Sequence, residues 1–78
     1  MPTALRSGPY RFFFYAGDGH EPPHVHAERE DRGAKFWLDP VLLERSHGFA
    51  RREINTLLSL VEEHQLQLLE SWHEFFHG

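Results

Sequence analysis

Apolar and polar positions divide the chain into a front half that alternates every second residue and a back half that repeats every three or four. The run Tyr10-Arg11-Phe12-Phe13-Phe14-Tyr15-Ala16 is bounded by Gly8-Pro9 and Gly17-Asp18-Gly19, the pattern of a strand between turns. His24 to Arg29, introduced by Pro22-Pro23, alternates polar and apolar as a half-buried strand does. Glu30-Asp31-Arg32-Gly33 reads as a hairpin turn. Ala34 to Leu38 forms a third strand ending at Asp39-Pro40, and Leu42 to Ser46 a fourth, closed by His47-Gly48. Strands at 10–16, 24–29, 34–38 and 42–46 with tight turns predict an antiparallel meander of three to four strands.

The back half predicts a helix over 50–77. At 100° per residue, Ile54, Leu57, Leu58, Val61, Gln65, Leu68, Leu69, Trp72, Phe75 and Phe76 fall within about 60° of one direction. Gln65 is the only polar member of that stripe. A continuous helix of this length would measure about 40 Å, longer than a domain this size is wide. The spacing therefore predicts a bend or break near His64, or an overhanging end. The start is poorly capped, with Ala50 where Ser or Asp would serve and Arg51 and Arg52 opposing the helix dipole. The whole is an α+β domain, single over 1–78: a small sheet packed on one face by a long amphipathic helix.

Side chains alternate across a sheet. Placing Phe12, Phe14, Val25, Ala27, Phe36 and Leu38 under the helix leaves Arg11, Phe13, Tyr15, His24, His26, Glu28, Lys35 and Trp37 opposite. One helical layer covers one face, so the second face is expected to be open, aromatic and mildly cationic. Such a patch marks an interface, and Arg11, Phe13, Tyr15, Glu28, Lys35 and Trp37 are its expected binding residues. The occupant would be a small partner protein or a second copy of the chain.

Composition narrows the classes. With 78 residues and no cysteine, disulfide frameworks and cysteine-based zinc fingers are excluded, and a reducing compartment is compatible. The N-terminal residues carry no apolar run suited to a signal peptide or membrane anchor, so a cytoplasmic protein without membrane association is expected. Net charge is −4, and all eight Lys and Arg lie at or before Arg52. The part from Glu53 onward is purely acidic and would repel nucleic acid, which disfavours a general nucleic-acid binder.

The candidate chemistry lies in His20-Glu21-Pro22-Pro23-His24-Val25-His26. On a strand, His24 and His26 point the same way, a spacing that places two imidazoles on one metal. His20, Glu28 or Asp18 could complete a site for zinc, manganese or nickel, with Asp18 or Glu21 orienting an imidazole from outside. A metal-free alternative has His24 and His26 as acid–base catalysts on a phosphodiester such as RNA. The plainer alternative is that these histidines are structural or part of the binding face. Histidine-triad hydrolases are excluded because position 28 is Glu, and cupins because the chain is too short. His73 and His77, four apart on the helix, read as solvated.

The run from Gly8 to Tyr15, Asp18, and Glu21-Pro22-Pro23-His24-Val25-His26 together resemble the domain of unknown function 4160 family. Ala34-Lys35-Phe36-Trp37-Leu38, Gly48-Phe49, Val61-Glu62-Glu63-His64, Leu68-Leu69-Glu70 and Trp72 match as well. The Pro-Pro-His-Val-His motif is the specific part, and Ala50 departs from the better-capped pattern. The resemblance implies no particular chemistry. It implies a bacterial protein encoded beside a second small protein, as in a toxin–antitoxin module, and hence a protein partner.

Overall fold

The computed structural model describes residues 3–77. Met1, Pro2 and Gly78, included in the single domain expected over 1–78, lie outside the described residues. Five strands come first: β1 Thr3–Ser7, β2 Tyr10–Phe13, β3 His24–Arg29, β4 Arg32–Leu38 and β5 Val41–His47. Two helices follow, α1 Arg51–Glu63 and α2 Gln65–His77. The strands lie in chain order and each pair is antiparallel. The α+β meander is as expected, with five strands instead of three to four.

The extra strand, β1, has no clear alternation in Thr3-Ala4-Leu5-Arg6-Ser7. Its partner β2 organises it through the Gly8-Pro9 hairpin loop, where Gly8 takes φ 56°, a conformation that glycine adopts without strain. β2 stops at Phe13, not at residue 16. Phe14 leaves the ladder and packs its ring 5.5 Å from that of Trp72. β4 starts at Arg32, so the β3–β4 hairpin turns on Glu30-Asp31 alone, with Glu30 at φ 56°. β5 is longer than 42–46 and carries an extra residue, Glu44, between the partners of Lys35 and Phe36.

The helical run breaks at His64, which takes φ −105°, ψ 18°. Its imidazole Nδ1 donates to the Leu60 carbonyl at 2.9 Å. Next to it, Gln65 donates from Nε2 to the Leu38 carbonyl at 2.7 Å. The one polar residue of the stripe thus satisfies a strand-end carbonyl. The longest molecular dimension is 35 Å, less than the straight helix would need. The break lets α1 lie on β4 and β5 and α2 on β1 and β4. Ala50 gives α1 no side-chain cap. Glu53 anchors the helix start instead, accepting from Tyr10 Oη at 3.2 Å and from Arg29 and Arg32 at 3.0 Å each.

Between sheet and helices lies one core of Phe12, Phe14, Val25, Ala27, Phe36 and Leu38 with Leu57, Val61, Leu68 and Trp72. The helix-facing set is the one that alternation assigns. The opposite face also has the expected members: register aligns Phe13, His26, Lys35 and Arg45 in one row and His24, Trp37 and Leu42 in another. That face is not simply open, however. The ten residues between β2 and β3 fold back across it, and Phe13 (3% exposed) and Lys35 (6%) are buried. Among the described residues, no helix is long and apolar enough to cross a membrane.

Candidate metal centre

The β2–β3 connection positions the site. Ala16–His20 forms a single 3-10 turn. Asp18 Oδ2 accepts the Tyr15 backbone N–H at 2.9 Å, and Asp18 N–H donates to the Tyr15 carbonyl at 3.0 Å. This double tie directs the Asp18 carboxylate at the sheet. Gly19 is needed there because a Cβ would meet the Phe76 ring at 2.9 Å. Pro22 and Pro23 then lead stiffly into β3, where the Pro23 carbonyl accepts the Leu38 N–H at 3.0 Å.

Asp18, His24 and His26 converge, their potential donor atoms all within 4.8 Å of one another. Asp18 Oδ2 lies 3.0 Å from His26 Nε2 and 3.1 Å from His24 Nε2. His26 Nε2 makes a hydrogen bond to that oxygen. His24 is different. Its Nδ1 stands 3.0 Å from the Pro22 carbonyl, which can only accept, so Nδ1 carries a proton. In the neutral ring Nε2 is then a bare lone pair. His24 is 0% exposed, and among the described residues its Nε2 is the buried side-chain polar atom without a hydrogen bond. Such an atom costs about 1–3 kcal/mol unless something completes it. For metal–donor bonds of about 2.1 Å, neighbouring donors at right angles stand about 3.0 Å apart. The two carboxylate–imidazole separations have that spacing.

Charge suits the same role. Burial pushes His26 below the ordinary histidine value, against the opposing pull of Asp18. Burial tends to raise Asp18, but the Tyr15 N–H and the charges of His24 and His26 more than offset it, and the carboxyl sits below its ordinary value. Aromatic rings wall the site: Trp72 lies 5.0 Å and Trp37 5.6 Å from the His24 ring, and Tyr15 4.6 Å from His26. A groove of about 280 Å³ adjoins it, running past Tyr15 and His26 over Gly33 to Arg45 and His47.

Two expectations change. His20 is not brought to the cluster: it is exposed at the end of the 3-10 turn, whose tight winding directs Asp18 inward and His20 away. Of the three residues offered to complete the histidine pair, Asp18 is the one whose carboxylate stands beside both imidazoles. Glu21 does lie outside, with Oε1 3.6 Å from His24 Nδ1 and 2.6 Å from Lys35 Nζ. The expected binding face is largely engaged within the chain. Arg11 pairs with Glu28 at 2.9 Å and covers the Phe13 ring at 4.5 Å, while Lys35 lies over Trp37 at 4.7 Å. Tyr15 remains 45% exposed. The Lys35–Glu21 pairing had one signal in the sequence, the placement of Lys35 on the histidine face.

Among known proteins, no curated protein and no solved structure matches the chain. The model of the family described as Domain of unknown function (DUF4160) matches residues 10–73. That span contains the whole β2–β3 connection, both histidine positions of β3 and Trp72. The chain belongs to this domain-of-unknown-function family.

Proposed function

We propose that this chain binds one divalent transition-metal ion through Asp18, His24 and His26. The buried, unpartnered Nε2 of His24 carries this reading. A carbonyl fixes that ring's tautomer, as carbonyls and carboxylates commonly do behind metal-bound histidines. Two imidazoles and one carboxylate suit zinc, manganese or nickel. Three protein donors leave a coordination position for water or substrate, the arrangement of hydrolytic centres. The groove beside His26 gives an incoming molecule room. The test is metal content and affinity of the purified full chain by elemental analysis and by titration with zinc, manganese and nickel salts. Near-stoichiometric binding, lost in His24→Ala, is expected; a wild-type chain that binds none of the three sinks the reading.

A second reading draws on what remains exposed. Leu42 (54% exposed) pairs with half-buried Trp37, and Tyr15 packs on His26 on the same side of the sheet. These residues support docking of a small partner protein, such as the second protein of a two-gene toxin–antitoxin-like module, or of another copy of the chain. Trp37→Ala should then weaken the assembly seen by light scattering. A wild-type chain that stays monomeric and captures no co-expressed partner removes this reading.

A further inference from the structure

Lys35 is charged, buried, and on a strand whose neighbours at Ala34 and Phe36 belong to the core. Register sets it opposite His26. Its ammonium lies over the Trp37 ring and donates to Glu21 Oε1 at 2.6 Å. Taking a lysine out of water costs several kcal/mol, and an ordinary surface pair would not require it. Glu21, by contrast, keeps 49% of its side chain exposed. The same oxygen that receives Lys35 stands 3.6 Å from His24 Nδ1. The next residue, Pro22, supplies the carbonyl that accepts the Nδ1 proton at 3.0 Å. The acceptor of that proton and the carboxylate nearest to it therefore lie on adjacent residues of a stiff Glu-Pro-Pro corner, and Lys35 ties that corner to the sheet.

We infer that the Lys35–Glu21 pair is a positioning device for the metal ligand His24. It holds the corner so that Nδ1–H faces Pro22 and Glu21 while Nε2 faces Asp18 and His26. The negative carboxylate behind the ring also makes Nε2 a better donor, as acidic groups do behind metal-bound histidines. Lys35 fixes Glu21 at that distance and occupies an oxygen that would otherwise be free to swing toward a metal as a further ligand. The inference rests on the metal reading above.

The experiment compares the full chain with Glu21→Gln, Glu21→Asp and Lys35→Met, reading zinc affinity, the visible spectrum of the cobalt(II)-loaded protein at saturation, and metal-free melting. Removing an outer partner of a metal-bound histidine typically weakens binding about 10–100-fold, and that loss is expected for Glu21→Gln and Lys35→Met. Glu21→Asp should recover part of it. The cobalt spectrum should change in the first two even when every site is filled, which a loss of stability alone would not produce. Wild-type binding with unchanged affinity and spectrum in Glu21→Gln and Lys35→Met overturns this inference and leaves the metal reading standing. Absence of metal binding by the wild type overturns both.

Discussion

The two faces of the sheet each hold buried side chains, the helix face throughout and the opposite face only at His24, Phe13 and Lys35. Toward the helices, Phe12, Val25, Phe36 and Leu38 meet Leu57, Val61, Leu68 and Trp72, and dispersion and water exclusion suffice. Toward the β2–β3 connection, His24, Phe13 and Lys35 are covered as completely. There the cover is the ten-residue connection, held by Asp18, Glu21 and backbone carbonyls, joined by Trp72 of α2 against the His24 ring and Arg11 over Phe13. A core residue on the first face needs only shape. On the second, each buried nitrogen needs a named partner, and His24 Nε2 lacks one. A buried side chain therefore means stability on one side and candidate chemistry on the other.

The sharpest way to break this contrast is to damage the helix face. Phe36→Ala removes a fully buried ring at the centre of the core and should destabilise the domain by about 3–5 kcal/mol. That is a large share of the stability available to a domain of this size. Urea unfolding measures it. A loss below about 1 kcal/mol would mean the core repacks, and that the helix face is less specific than its contacts indicate.

A smaller effect with the opposite logic is expected across the sheet. His24→Leu replaces the ring and its unpartnered nitrogen with an apolar group of similar size. Without metal it should leave stability nearly unchanged, because removing the unpartnered Nε2 offsets the loss of the Nδ1 hydrogen bond to the Pro22 carbonyl. With metal the two should separate. The wild type gains about 2.7 kcal/mol at a free metal concentration 100 times its dissociation constant, and the variant gains nothing. Melting curves with chelator and with added zinc give both numbers. A variant that is much less stable even under chelator would make His24 a plain structural residue.

The same contrast governs how much the sequence could disclose. Alternation in Phe12, Val25, Ala27 and Phe36 and the stripe from Ile54 to Phe76 suffice for the helix face, because hydrophobic burial follows periodicity. Length alone limits the helical run to a bend or break near His64 or an overhanging end, and the structure takes the break. β1 was not foreseeable, since Thr3-Ala4-Leu5-Arg6-Ser7 becomes a strand only through pairing with β2. At the site, a shared direction for His24 and His26 follows from their spacing. The choice of Asp18 over His20 does not. It depends on how one 3-10 turn winds and on the Tyr15 N–H that locks the carboxylate inward, neither of which has a periodic signature. Lys35 likewise looked like a surface cation until the ten-residue connection folded over it.

The mildest probe concerns the polar rim of the helix face and is read through pH. Partial burial works to raise the Glu53 carboxyl, but the hydrogen bond from Tyr10 and the charges of Arg32 and Arg29 outweigh it, so the group lies below its ordinary value of 4.5. A carboxyl depressed in the folded state stabilises the fold above its unfolded value, and that contribution is lost as pH falls through the folded value. Glu53→Gln should therefore be less stable than the wild type at neutral pH, and the gap should close in acid. The effect should be the smallest of the three, because the ion pairs to Arg29 and Arg32 are partly solvated and screened. Moderate salt should shrink it further. Asp18 and Glu21 are depressed as well, so the variant should keep an acid-sensitive share belonging to the loop face. Denaturation midpoints from neutral pH down through the carboxylate range separate the two shares. A gap that stays constant with pH would assign the loss to packing of the Glu53 side chain and remove the charge-based account of how α1 is anchored.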